Sequence, residues 1–134
     1  MRDALVPLLD AHFANCSGGF VWRKNDCITY VDGWLQIALR QPSLIPSWAT
    51  WNDESSALSV LRQLGCADVR ALANKHLKPR ALFTARVGDI VARNFPQFGL
   101  TLGICAGSDV RFVSLMSGYQ SSGLTRCHFA WTVG

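Results

Sequence analysis

Charge is what this sequence has least of. Only 16 % of its 134 residues are Asp, Glu, Lys or Arg, against about 25 % in an average soluble domain. With 49 % of residues hydrophobic, the chain has the material for a buried core, and intrinsic disorder is excluded. The net charge is +4, but the basic residues are scattered from Arg2 to Arg126 and their longest cluster is Lys75, Lys78 and Arg80. No basic stripe marks a nucleic-acid face, so no nucleic-acid partner is expected. Long apolar runs are missing too. The stretch around Leu5 and Leu9 is broken by Pro7 and preceded by Asp3, which leaves neither a signal-peptide core nor a membrane span; synthesis in a cytoplasm without membrane insertion is expected. The cysteines, Cys16, Cys27, Cys66, Cys105 and Cys127, are odd in number and contain no Cys-x-x-Cys pair. A disulfide framework or a structural zinc site is therefore not expected, and no metal or cofactor is assigned. Gly99, Gly103 and Gly107 lie in a strand-like segment without a following Lys-Ser or Lys-Thr, so they form no phosphate loop.

What is present suits one domain spanning 1–134. Residues 3–14 read as a helix with Leu5, Leu8, Leu9 and Phe13 on one face. A second helix opens after Arg23 and Lys24, with Asn25 as N-cap, Asp26 adding negative charge to its positive end, and Ile28, Val31, Leu35, Ala38 and Leu39 inward. The segment 41–50, with Pro42 and Pro46, reads as a fixed loop in which Trp48 and Trp51 need cover. Asn52 or Asp53 caps a third helix, with Ala57, Leu58, Leu61 and Leu64 inward and Gly65 as its stop; a fourth covers 67–76 and is closed by Pro79. From Ala85 onward four short strands follow, 90–93, 100–106, 110–116 and 128–133. Helices first and strands afterwards predict an α+β fold with an antiparallel sheet.

One cysteine is placed for chemistry. Cys27 falls in the first turn of the second helix, where unpaired N–H groups and the helix dipole favour thiolate, with Arg23 and Lys24 just upstream. A nucleophilic cysteine also needs a base, generally His, held by a third polar group. Without one, Cys27 is a small side chain packed at a helix start.

The run Trp22-Arg23-Lys24-Asn25-Asp26-Cys27 is followed some sixty residues on by Val87-Gly88-Asp89-Ile90-Val91, then by Leu102-Gly103-Ile104, an Ala106-Gly107 turn, and Cys127 and Trp131 near the end. In this order the motifs resemble the NlpC/P60 group of papain-like cysteine hydrolases, and more closely the small phage tail proteins related to it. The resemblance implies N-terminal helices packed on a C-terminal antiparallel sheet, and either a peptidoglycan-cutting enzyme or a building part of a tail. It also implies a base two residues before the glycine of the Gly-Ile strand, which here is Thr101, and a third polar group around 111–114, where no His, Asn or Gln occurs. A threonine hydroxyl takes up no proton near neutral pH. Of the remaining imidazoles, His12 lies on the first helix and His76 at the end of the fourth, as a dipole partner. His128 is the candidate replacement base, on a strand expected to carry His128, Ala130 and Thr132 on one face and Cys127, Phe129 and Trp131 on the other. Asp89 reads as a turn residue opening a strand.

These readings predict a catalytically inactive structural component of a phage tail tip or baseplate, residing in the virion and bound by tail-hub or baseplate proteins. Ten arginines, three lysines and one glutamate, with Trp22, Trp48 and Trp51 in loops, suit a subunit covered by a partner. The alternative is an active peptidoglycan-degrading cysteine peptidase or amidase used in genome delivery, with Cys27 as nucleophile and His128 as base. A tail-assembly chaperone is a third reading.

Overall fold

In the computed structural model, which describes residues 2–96, 99–115 and 118–134, three helix starts are set by aspartates. Asp26, Asp53 and Asp68 each accept a backbone N–H from the first turn of the helix that follows. The helices are α1 (Arg2–Cys16), α2 (Cys27–Leu39), α3 (Glu54–Gln63) and α4 (Val69–His76). Asn25, expected as the α2 cap, instead donates its side-chain N–H groups to the carbonyls of Cys16 and Gly19, both at 2.7 Å, tying the end of α1 to the turn before α2. The cap itself is Asp26, one residue later.

Six strands follow, β1 (Lys78–Arg80), β2 (Ile90–Phe95), β3 (Gly99–Cys105), β4 (Asp109–Ser114), β5 (Gly118–Gly123) and β6 (Phe129–Thr132). They form one sheet in the order β1-β6-β2-β3-β4-β5, with every neighbouring pair antiparallel. The α+β expectation holds, with helices preceding the sheet. Four strands were expected and six are present among the described residues. The two that the sequence hides are the edges: Lys78-Pro79-Arg80 reads as a terminator, and Gly118 to Gly123 lacks apolar alternation. Pro and Lys on an edge strand also block pairing with another chain. Of the segment 110–116 expected as a strand, Met116 lies outside the described residues.

The sheet is buried on both faces. One carries Ile90, Ile104 and Trp131 against the helices; the other gathers Val91, Phe95, Cys105, Val110, Phe112, Cys127 and Ala130. This explains the apolar run Ile90-Val91-Ala92, which does not alternate. Among the described residues no α-helix covers the second face. The sheet curls instead, and two 3₁₀ turns, Leu82–Thr84 after β1 and Leu124–Arg126 after β5, meet across it although they follow opposite edges. Across the same curl, the Arg93 guanidinium on β2 donates to Ser122 Oγ on β5. Cys127 lies before β6 begins, so it joins Ala130 on this face rather than Phe129 and Trp131 as alternation predicted.

Helix α2 is bolted to the sheet one turn apart: the Tyr30 hydroxyl donates to the Arg111 carbonyl at 3.1 Å and the Trp34 indole to the Gly88 carbonyl at 2.8 Å. Asp89, fully buried, accepts from the Arg80 guanidinium at 2.8 Å, from the Arg86 N–H at 2.9 Å and from the Val133 N–H at 3.0 Å. It therefore joins β1, the start of β2 and the end of the chain, which is more than a turn residue does. On α1, Leu8 is exposed where the periodicity placed it inward, and His12 is buried beside Leu9 and Phe13. No helix among the described residues is long and apolar enough to cross a membrane.

Candidate functional site: the thiol cleft at the start of α2

The chain enters α2 through a tight turn in which Val21 and Asn25 pair and Arg23 takes a left-handed φ of 67°. That geometry is closed by one carboxylate. Asp26 Oδ1 accepts the N–H groups of Ile28 and Thr29 at 3.0 and 2.9 Å, while Oδ2 accepts the Arg23 N–H at 2.8 Å and the Trp51 indole N–H at 2.7 Å. Thr29 Oγ1 in return accepts the Asp26 N–H at 2.9 Å, completing a capping box. The side chain before the cysteine thus serves the architecture, fixing the first turn of α2 to the loop that carries Trp51.

Cys27 is the first residue of α2 and is half-buried in a cleft of about 120 Å³. Cys27 from α2, Thr101 from β3 and Ser114 from β4 line it together with the carboxylates of Asp26, at the cap of α2, and Glu54, on α3. The ladder places the two hydroxyl residues together, since Gly103 pairs with Phe112 and the same register carries Thr101 to the level of Ser114. Both hydroxyl residues are buried, at 5 and 2 % exposure. Thr101 Oγ1 donates to the Gly99 carbonyl at 3.3 Å. The walls are apolar, chiefly Phe20, Trp22, Leu58, Leu100 and Val113, and Glu54 stands at the α3 side.

The structure overturns the expectation of an acidified thiol. Burial pushes the Cys27 thiol up to about 12, the adjacent Asp26 carboxylate adds to the rise, and hydrogen bonds with the backbone of Leu102 and of Cys27 itself offset only part of it. The cations read from the sequence do not oppose this. Arg23 is turned to the Ala49 carbonyl, 2.8 Å from its Nε, with its guanidinium 5.0 Å from the Trp51 ring centre, and Lys24 is exposed. A rise from 9.0 to about 12 leaves roughly a thousandfold less thiolate at neutral pH. Iodoacetamide at pH 8, followed by peptide mass spectrometry, is therefore expected to label Cys27 about three orders of magnitude more slowly than an unperturbed thiol. The rate should keep climbing with each unit of pH up to about 11. Rapid labelling with a plateau near neutrality would contradict this environment.

None of the three histidines lines the cleft. His128, the candidate base, is exposed; its Nδ1 accepts the Asn94 N–H at 3.2 Å, on the far side of β2 from β3 and the thiol. The proposed Cys27–His128 pair is therefore not formed. His12 sits between α1 and α2, where Nε2 donates to the Tyr30 carbonyl at 2.8 Å and the ring stacks on Tyr30. Burial holds its pKa below the ordinary value, against the Tyr30 bond, and its task is helix packing. His76 ends α4 and is exposed, its pKa lowered by partial burial and by Lys75. All five cysteines are free thiols, and among the described residues no group of three or more His, Cys, Asp or Glu side chains converges as a metal site.

Ser114 carries neither imidazole nor amide, so nothing in the sequence singles it out within 111–114; the β3–β4 register does. Leu58 packs on the core as expected and also closes the cleft from α3. Of the loop tryptophans, Trp51 is buried at 4 % exposure, Trp22 is half-buried with its ring edge-on to Phe20, and only Trp48 stands out in solvent.

Fold and site together define an α+β domain whose helix-start thiol shares a largely apolar cleft with two buried hydroxyl residues. The match to DUF6950, a domain of unknown function, runs over residues 3–133, and the chain belongs to that family. No curated protein matches the sequence.

Proposed function

We propose that the chain is a non-catalytic relative of the NlpC/P60 papain-like hydrolases that serves as a structural component of a phage tail tip or baseplate. One observation carries the loss of catalysis: no histidine lines the thiol cleft, where Thr101 stands at the position of the expected base and Ser114 lies in the stretch of the expected orienting partner. Neither hydroxyl takes up a proton near neutral pH, so neither activates the thiol or protonates a departing amine. A thiol held up to about 12 is a poor nucleophile by itself. The virion role and its tail-hub partners follow from the resemblance, supported by a composition rich in arginine and poor in lysine and glutamate. Partner contact does not use Trp51, whose ring belongs to the core.

Two measurements test this. Purified wild type and Cys27→Ala are expected to leave peptidoglycan equally intact in zymograms and in assays of released fragments. Clearing by the wild type that disappears in Cys27→Ala would establish the peptidase and end the non-catalytic reading. Mass spectrometry of purified virions should find the chain at a fixed ratio to tail proteins. Its absence from mature particles, with presence in tail intermediates, would assign it to assembly as a chaperone.

A further inference from the structure

Trp48 is 58 % exposed, in a chain whose Trp34, Trp51 and Trp131 are 4 % exposed or less. Tryptophan is highly buried on average, so an indole left in water is informative. Nor does it sit on a slack loop. The next residue, Ala49, is 1 % exposed, donates its N–H to the Pro46 carbonyl at 3.0 Å and accepts the Arg23 Nε–H at 2.8 Å. Upstream, the Leu44 N–H is held by the buried Asp32 carboxylate at 2.8 Å; downstream, Trp51 is held by Asp26. The indole is thus presented on a post fixed at both ends, so little ordering cost attaches to using it.

Its surroundings say what it is presented to. Trp48 borders a groove of about 430 Å³, whose other walls include Thr50, Asp53, Ser55, Ser59 and Gln63. The groove is shallow and open to solvent, a shape that suits a chain laid along the surface rather than an enclosed small molecule. Apart from Trp48 the groove offers one large apolar side chain, Val60, and one charge, Asp53. A protein-binding centre would cluster aromatic and aliphatic neighbours and deplete serine. The other exposed large apolar side chains lie on other elements: Val6 and Leu8 on α1, Val21 before α2, Ile37 on α2, Phe83 before β2 and Leu115 after β4. An anion is disfavoured by Asp53 and the neighbouring Glu54. An isolated indole face among hydroxyl and amide groups suits a ligand with one apolar C–H face and a rim of hydroxyls, which is a pyranose ring.

We propose that the groove beside Trp48 binds a neutral sugar chain, with the indole stacked on one pyranose face and the hydroxyl and amide side chains of α3 taking its polar rim. The groove has room to continue. A second one of about 470 Å³ shares Asp53 and Ser55 with it, and Glu54 and Leu58 with the thiol cleft, so a chain of linked sugars laid along the start of α3 leads from Trp48 to Cys27. The inference stands on Trp48 and its groove and does not require the tail-component reading.

The test is titration of the whole protein with a β-1,4-linked N-acetylglucosamine tetrasaccharide and, separately, with maltotetraose, followed by the indole N–H resonances of the five tryptophans. Saturable shifts of Trp48, extending at most to Trp22 in the thiol cleft, with the resonances of Trp34 and Trp131 unmoved, are expected with at least one of the sugars. Response to the first alone assigns wall-type acetamido sugars; response to both assigns pyranose chains in general. Measured by calorimetry, since these variants lack the reporting indole, Trp48→Ala should weaken binding about tenfold and Trp48→Phe less, with unchanged thermal unfolding because the ring is exposed. No shift with either sugar at millimolar concentration overturns the proposal, as does an affinity unchanged by Trp48→Ala. Loss of a protein partner in Trp48→Ala without any sugar response would overturn it in favour of a protein contact. Since the zymogram reads hydrolysis and this titration reads binding, failure of one leaves the other standing.

Discussion

Asp26→Ala, at the cap of α2, is expected to lower the unfolding free energy by about 4 kcal/mol. Removing an N-cap aspartate costs about 1 kcal/mol, and the Arg23 N–H and the Trp51 indole N–H would each lose their acceptor, at about 1–3 kcal/mol per buried donor. The carboxylate is 2 % exposed, so water reaches these donors only if the turn opens. Asp26→Asn is a sharper probe. Its carbonyl oxygen still caps Ile28 and Thr29, but its amide then points two donors at the donors of Arg23 and Trp51, for an expected loss of about 2 kcal/mol. Urea unfolding with an unchanged m-value measures both. A loss below about 1 kcal/mol in Asp26→Ala would show that the hub is dispensable. The Asn variant has a second readout. It removes the negative charge that raises the Cys27 thiol, so alkylation of Cys27 at pH 8 should quicken, while burial, the larger cause, keeps it slower than an ordinary thiol.

Gly103→Ala is expected to cost about 3 kcal/mol or more, or to give insoluble protein. A Cβ there would lie 2.6 Å from two ring carbons of Phe112 and 2.7 Å from the Arg111 carbonyl oxygen. The ring cannot yield easily, being fully buried and edge-on to Phe95 with centroids 5.3 Å apart. The carbonyl belongs to β4, so relief means parting two central strands. Gly18→Ala is the control: nothing lies within 4 Å of its Cβ position, and a change within about 0.5 kcal/mol is expected. Equal stability of the two variants in thermal and urea unfolding would remove the packing explanation for Gly103. The consequence reaches the site, because Gly103 holds β3 against β4 two residues from Thr101, where the cleft brings Thr101 and Ser114 together.

Some elements were legible because they depend on neighbours along the chain. Apolar spacing and an aspartate cap announce α3, and Gly65 ends it in a left-handed φ of 81°. Others were not. Leu8 and His12 sit four residues apart on α1, yet the histidine is inside and the leucine outside, since His12 finds the Tyr30 carbonyl and ring across the helix pair. Trp48 and Trp51 have equal hydrophobicity and share a loop. Trp51 is buried because a carboxylate 25 residues away accepts its N–H.

From the order of its segments alone, the chain declared helices before strands, a buried core, and a thiol at the mouth of its second helix; these are local properties of spacing, caps and composition. Only the folded sheet decided which groups meet that thiol, because strand register brings Thr101 and Ser114 beside it and leaves His128 on the far side of β2. The same folding reversed the local electrostatic argument. A helix start by itself favours thiolate, but burial and the neighbouring carboxylate cost the charged form more than its backbone hydrogen bonds return.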